Sequence, residues 1–468
     1  MLFNSFEFIC IFFPLVTGLY FALPHRWRWL LLLVASCWFY MAFVPVYILI
    51  LAFTIGVDYV AGIWIERSEG RKRKLLLTAS IIANVGVLAF FKYFNFLNES
   101  IAAVVRGLGF HYGVPDLGII LPIGLSFHTF QSLSYTIEVY RRHYPAERNP
   151  GIFALYVMFY PQLVAGPIER PQALLPQFHA RKKFNADDLQ YGLTRMAFGF
   201  FKKVVVADRL APYVDAVYAD IPGSNGITVL VATIFFAVQI YCDFSGYSDI
   251  AIGAARVMGF RLMENFTRPY LSSSVSEFWG RWHISLSSWF RDYLYIPLGG
   301  NRVVRWRWYY NLMIVFLASG LWHGAAWTYV IWGGLHGAYL IAAIALKPAT
   351  GRISNFLPGQ LNKAIGILTT CTLVTLAWVF FRAHSAADAF VGLRKMVAME
   401  GGSRIGGGTD ATGTFQLACC MAVVALLLLT WKLPMDLRVR HPRTFVVITV
   451  LLIFLLGRNG GDFIYFQF

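Results

Sequence analysis

Tyr47 to Ile65 reads Y-I-L-I-L-A-F-T-I-G-V-D-Y-V-A-G-I-W-I, an apolar run interrupted by a single carboxylate. A bilayer core about 30 Å thick is crossed by roughly 20 helical residues, so this stretch is long enough to span it. Comparable runs are Phe6 to Leu23, Trp29 to Val44, Leu75 to Leu97, Leu117 to Tyr140, Ala325 to Leu346, Ile365 to Phe381, Phe415 to Leu433 and Phe445 to Leu456. Shorter or polar-interrupted ones lie between Gly151 and Ala165, Tyr191 and Val206, Ile227 and Ile252, and Asn311 and Leu321. The composition agrees, with 58% hydrophobic and only 14% charged residues and a mean hydropathy of +0.58. The expectation is an all-α integral membrane protein with about eleven or twelve membrane-embedded helices, some broken or re-entrant. No separate soluble domain is evident, so residues 1–468 form one membrane domain: spans over 1–140, a motif-bearing core over 150–346 and further spans over 365–468.

The first run has no basic segment before it and no small-residue cleavage site after it, so it reads as a retained span. A net charge of +16 over the whole chain could suggest nucleic acid. The basic residues, however, come in short clusters between spans, which is the positive-inside pattern of membrane proteins, and nucleic-acid binding is excluded. His25 to Arg28, Arg71 to Lys74, Arg141 to His143 and Arg438 to Arg443 all fall on one side if the N-terminus is outside. Phe43 to Val46, Asn98 to Asp116, the glycine-rich Gly401 to Gly413 and the tail Asp462 to Phe468 then lie outside. The six cysteines sit almost entirely in apolar runs with no metal-binding spacing, and read as small buried hydrophobes.

Four polar intrusions carry the functional reading. Pro161 to Pro171 breaks an apolar segment with Pro and Gly, and reads either as an ordinary helix end or as a re-entrant or broken helix near a cavity, which at membrane depth survives only where protein or water satisfies the freed backbone. Asp243 and Asp249 are six residues apart on one helix and face different ways, so they suit polar packing, or capping of a break near Gly246, better than acid/base catalysis. Ser276 to Tyr295 is dense in Trp, Arg, His and Ser and too polar to face lipid. It reads as an interfacial amphipathic helix or as the lining of a polar tunnel, with Arg302, Arg305 and Arg307 at its cytoplasmic rim. The fourth is Ser319-Gly-Leu-Trp-His-Gly-Ala-Ala-Trp327, which sets His323 among aromatic and tiny residues. An ionisable group in a membrane segment is costly and is by default a functional site. His128 is intramembrane as well, with packing the favoured role; His336 lies thirteen residues beyond His323, off its helical face, and no metal site is expected.

The runs D-F-S-G-Y-S-D (Asp243 to Asp249), M-E-N-F-T-R-P-Y (Met263 to Tyr270), F-W-G-R-W-H-I-S-L-S-S-W-F-R-D-Y-L-Y-I-P-L-G-G-N (Phe278 to Asn301) and S-G-L-W-H-G-A-A-W, with the ending F-I-Y-F-Q-F, resemble the membrane-bound O-acyltransferase superfamily. Within it they resemble the bacterial branch that O-acetylates alginate, with cellulose-acetylating and D-alanyl-lipoteichoic-acid relatives nearby. The resemblance implies helices around a central tunnel or funnel, with catalytic histidines at His323 and His283. It also implies tunnel residues Trp282, Ser285, Arg291, Asp292, Trp322 and Asp249. A neutral imidazole with a pKa of about 6.5 suits removal of a hydroxyl proton as an acyl thioester is attacked. His283 or a neighbouring donor would then orient the thioester or stabilise the oxyanion, and the glycines and alanines around His323 would leave room for substrate. No bound cofactor is implied; acetyl-CoA or another acyl thioester is the donor. The chain has no G-D-S hydrolase motif, so a periplasmic SGNH-type acetyltransferase and a polysaccharide synthase complex are the implied partners, together with membrane lipid. A D-alanyl transferase using a carrier protein, or a transporter or flippase, is the competing class; the latter usually shows paired halves with corresponding broken segments, not seen here.

Overall fold

A computed structural model describes residues 1–118, 121–354, 356–402, 411–432, 442–458 and 463–464. Every regular element among the described residues is helical. Five helical stretches are long and apolar enough to cross a membrane: Pro45–Arg67, Gly70–Gly107, Gly226–Val257, Trp327–Pro348 and Gly359–Arg382. Three shorter apolar helices are Glu7–Ala22, Gln416–Leu429 and Arg443–Leu456. The basic residues 438–441, residues 403–410 of the glycine-rich loop, and Asp462 with residues 465–468 of the tail lie outside the described residues.

The chain divides into two compact units, Met1–Met196 with Tyr247–Met263, and Ala197–Gly246 with Glu264–Phe468. In the first unit, Asp58 is fully buried and held by neutral donors: Ser80 Oγ (2.5 Å), Asn84 Nδ2 (2.9 Å) and the Ser132 hydroxyl. The apolar run from Leu117 becomes helix only at Leu125, because Pro122 lacks an N–H and Gly124 turns left-handed at φ 75°. The helix Pro150–Met158 starts where the Asn149 side chain accepts from Gly151 N (2.9 Å), and then breaks. Residues 159–170 follow an irregular buried path whose polar backbone is met by side chains. His128 Nε2 donates to Leu163 O (2.6 Å), Tyr156 Oη to Glu169 O (2.8 Å), and Glu169 N to Gln131 Oε1 (2.8 Å). A broken segment satisfied by protein is therefore what the Pro161 to Pro171 signal marks, and His128 serves it as a backbone clamp.

One expectation is corrected. The helix Gly226–Val257 runs unbroken through Gly246, so neither aspartate caps a break. Gly246 is needed for close approach: a Cβ there would stand 2.8 Å from Gly199 O. Asp249 pairs instead with Arg195 (3.0 Å) in the first unit. In the second unit, Asp243 accepts from Lys203 Nζ at 2.6 Å, and Lys203 also reaches Asp208 at 3.0 Å. Lys203 and Asp208 meet although they are five apart, because Lys203 lies in the π-helix Phe201–Ala207, which Asp208 ends, and an i→i+5 turn puts such residues on one face. The second carboxylate oxygen of Asp243 accepts the Ile464 N–H (2.7 Å), and the Phe463 ring lies 4.4 Å from Lys203 Nζ. The core of the second unit is packed with rings, Trp282, Trp332 and Trp378 being among its largest fully buried side chains.

Candidate functional site

Two helices of the second unit, Arg305–His323 and Trp327–Ser354, pack with their backbones nearly touching. A Cβ on Gly320 would collide with the carbonyl oxygen of Tyr329, and one on Gly333 with that of Phe316. The Tyr329 ring occupies the place a Cβ on Gly324 would need. The small residues around His323 thus allow close helix contact, and the space they free is filled by Tyr329; this corrects the expectation that it is left for substrate.

His323 is the last residue of its helix and is 3% exposed. Its Nδ1 lies 2.7 Å from Ser319 O, one turn back. A carbonyl can only accept, so Nδ1 carries the proton and Nε2 the lone pair. The ring is walled by Trp332 (centroids 4.8 Å apart), Trp322 (5.0 Å) and Phe381 (5.7 Å).

His283 lies in a turn that Asn265 organises. Asn265 O accepts from Ile284 N (3.0 Å), and Asn265 Oδ1 accepts from Ser285 N (3.2 Å) and Ser285 Oγ (2.9 Å). The backbone donor fixes which end of the amide is oxygen. His283 Nδ1, 3.2 Å from that oxygen, must therefore donate, which again leaves Nε2 as the lone-pair nitrogen. The residue sits at φ 44°, a left-handed conformation that costs on the order of 1–3 kcal/mol off glycine and clusters at functional sites. Trp322 joins the two histidines, its ring 5.9 Å from His283 and 5.0 Å from His323.

His336 completes the group. Trp279 Nε1 donates to His336 Nδ1 (3.3 Å), and Trp332 lies 5.0 Å from the His336 ring. The proton of His336 is therefore on Nε2. That N–H, together with the indole N–H groups of Trp332 and Trp282, is buried without a hydrogen-bond partner among the described residues. Each such group costs about 1–3 kcal/mol when left unmet, so an N–H of this kind calls for a water or a ligand atom to accept from it.

Of the residues expected at the site, His283, His323, Trp282, Trp322 and Ser285 come together in the second unit. Trp282 is fully buried, 5.5 Å from Phe278 and 5.1 Å from Trp378, which stacks 5.7 Å from Trp332. Arg291 and Asp292 pair with each other at 2.8 Å, largely at the surface, and Asp249 belongs to the first unit. Arg305 is exposed and bonds Tyr309 Oη (2.7 Å). The short helix Val275–Arg281 that carries Trp279 is capped by Ser274 Oγ, which accepts from Glu277 N (3.2 Å). The Ser273 hydroxyl and N–H beside Glu277 hold its carboxyl below the usual carboxylate range.

Sequence reasoning passed over Asn265, Trp332 and Lys203. Asn265 stood inside a quoted motif, and Lys203 belongs to a lysine pair in an apolar run, a pattern that demands a buried counter-charge. Trp332 carried no signal, since a tryptophan in an apolar helix is ordinary.

The sequence profile of the membrane-bound O-acyltransferase family matches residues 149–384, which include Asn265 and all three site histidines. The chain is 42% identical to the probable alginate O-acetylase of Azotobacter vinelandii over 82% of this chain and 76% of that protein. It is 35% identical to the peptidoglycan O-acetyltransferase of Helicobacter pylori over 86% and 80%. Similarity to the teichoic acid D-alanyltransferase of Bacillus subtilis is weaker, 30% over 48% of this chain and 60% of that protein. The chain belongs to the membrane-bound O-acyltransferase family and is a membrane enzyme that transfers acyl groups to oxygen.

Proposed function

We propose that the protein moves acetyl groups from a cytoplasmic acyl thioester, acetyl-CoA being the natural donor, across the inner membrane for O-acetylation of an alginate-type exopolysaccharide. The observation that carries the catalytic part is the bond from His323 Nδ1 to Ser319 O, which leaves a lone pair on Nε2 inside a buried cage of rings. As the acceptor oxygen attacks the thioester carbonyl, His323 Nε2 takes the hydroxyl proton. The C–O bond forms, the C–S bond breaks, and the imidazolium returns the proton to the leaving thiolate. His283, fixed by its bond to Asn265 and joined to His323 through the Trp322 ring, helps to orient the thioester for that attack.

The remaining parts of the reading are an N-terminus outside, about eleven or twelve membrane-embedded helices lining a tunnel, and one functional domain over the chain. Trp282, Ser285, Trp322, Arg291 and Asp292, all of the second unit, would line or rim that tunnel. A periplasmic SGNH-type acetyltransferase acting with a polysaccharide synthase complex would complete esterification of the polymer. Acetyl is favoured over D-alanyl because two relatives named for O-acetylation match over more than four fifths of the chain, the D-alanyl relative over less than half.

The test uses membranes containing the full-length protein, labelled acetyl-CoA, and counting of alkali-labile acetate in envelope polysaccharide. His323→Ala should lose about 10²- to 10⁴-fold of the transfer rate at normal protein level. Unchanged transfer would sink the reading, and labelling from D-alanyl carrier protein but not from acetyl-CoA would move it to the other acyl group.

A further inference from the structure

When a hydroxyl attacks a thioester, the carbonyl oxygen takes on negative charge until the C–S bond breaks, and hydrogen-bond donors placed at that oxygen speed the step. Neither neutral histidine assigned above can supply one. His323 donates its only N–H to Ser319 O, and His283 donates its own to Asn265 Oδ1. The donors must come from elsewhere in the cage.

We infer that Trp332 Nε1–H and His336 Nε2–H form the oxyanion-binding pair of the site, an assignment that rests on the acyl-transfer reading. Both residues are fully buried, and neither N–H has a partner among the described residues. They are four apart on the helix Trp327–Ser354 and therefore share one face of it. Trp332 stands against the His323 ring at 4.8 Å and against the His336 ring at 5.0 Å. Trp279 donates into His336 Nδ1, which fixes the neutral tautomer with its proton on Nε2. That is the tautomer an oxyanion needs: a donor that gives a hydrogen bond and does not compete with His323 for the substrate proton. Trp282 has a buried N–H without a partner among the described residues too, but it is not on the helix Trp327–Ser354, and its ring packs on Trp378 and Phe278, so it is left out of the pair.

The assignment explains three otherwise unrelated facts. His336, thirteen residues from His323, has a role without a metal. Trp279 sits where its N–H can set a tautomer. Two N–H donors on one face of the helix Trp327–Ser354 lack a partner among the described residues.

The experiment compares kcat and KM for the acyl thioester in full-length Trp332→Phe, His336→Leu, His336→Gln and His323→Ala, each in membranes. Trp332→Phe keeps the ring and removes the N–H; His336→Gln restores a donor that His336→Leu lacks. The expected result is a fall in kcat of about 10²- to 10³-fold for Trp332→Phe, with the donor KM within a few-fold of wild type. His336→Gln should run at least about tenfold faster than His336→Leu, and the pH profile of Trp332→Phe should keep its shape because the base is untouched. Wild-type kcat in Trp332→Phe beside an inactive His323→Ala overturns the oxyanion pair and leaves the acyl-transfer reading standing. A fully active His323→Ala overturns that underlying reading itself. If Trp332→Phe lowers kcat only together with the thermal melting point in detergent, the tryptophan is structural and the inference fails. If His336→Leu does not accumulate, Trp332→Phe decides alone.

Discussion

Replacing Gly320 by alanine puts a methyl group where the Tyr329 carbonyl oxygen already lies, inside the 3.0 Å that Cβ atoms do not cross. The obstacle is backbone on the facing helix, so no rotamer change relieves it. Gly333 faces the Phe316 carbonyl in the same manner, and the crossing is closed from both sides. Carbon contacts settle at about 3.5–4.0 Å, so the two helices must part by roughly 1 Å. Gly320 lies three residues before His323, and that shift carries the imidazole away from Trp332 and His283. A displacement of about 1 Å at reacting groups costs on the order of 10²-fold in rate, and overpacking costs about 1–3 kcal/mol in stability. Gly334→Ala is the control on the same helix: its Cβ would meet only Leu317 Cδ2 at 3.7 Å, an ordinary contact. That variant should keep its rate and gain about 0.5–1 kcal/mol from helix propensity. Acyl transfer in membranes and thermal melting in detergent read both quantities. Gly320→Ala with a rate within twofold of wild type and an unchanged melting point would refute the claim that this crossing positions the base.

Other consequences are equally direct. Lys203→Met strands two carboxylates that are only 4–5% exposed, and should destabilise by about 3–5 kcal/mol; adding Asp243→Asn should recover part of that in a double-mutant cycle read by melting. Asn265→Ala removes the acceptor that orients His283 and should lower kcat at least tenfold by the activity assay, with the chain still accumulating; equal loss in His283→Ala and the double variant would place both in one unit. Ser274→Ala deletes the cap of the Trp279 helix and should cost about 1 kcal/mol on melting. Because the Glu277 carboxyl is held low, its contribution is present above the unfolded carboxylate pKa and disappears as pH falls through the folded one. Glu277→Gln should therefore flatten the acid limb of melting temperature against pH below about 4.3, and an unchanged limb rejects the assignment.

The spans were legible because lipid demands long apolar helices, and Gly226–Val257 or Gly359–Arg382 can be read from hydropathy alone. His323 was legible for the complementary reason, as a titratable group that such surroundings do not tolerate idly. What sequence spacing could not convey is direction. Asp243 and Asp249 were correctly read as facing different ways, yet nothing local revealed that Lys203 and Arg195 would meet them, since partners some 40 and 54 residues away depend on tertiary packing. The glycines near His323 announced space, and the structure spends it on helix contact. The unmet N–H of Trp332 is visible only once every neighbour has been placed.

The bond between Asp243 and Ile464 joins residues 221 apart in sequence. During synthesis, Lys203, Asp208 and Asp243 enter the membrane long before Ile464 is made, and through that interval one oxygen of a buried carboxylate lacks its backbone donor. Assembly of the catalytic half is then a two-stage event: helices first, with the ionic centre incomplete, and closure when the arriving Phe463 and Ile464 settle over Lys203 and Asp243. A ribosome-bound chain halted before residue 463 should be inserted yet protease-sensitive, making the tail a timing device for maturation.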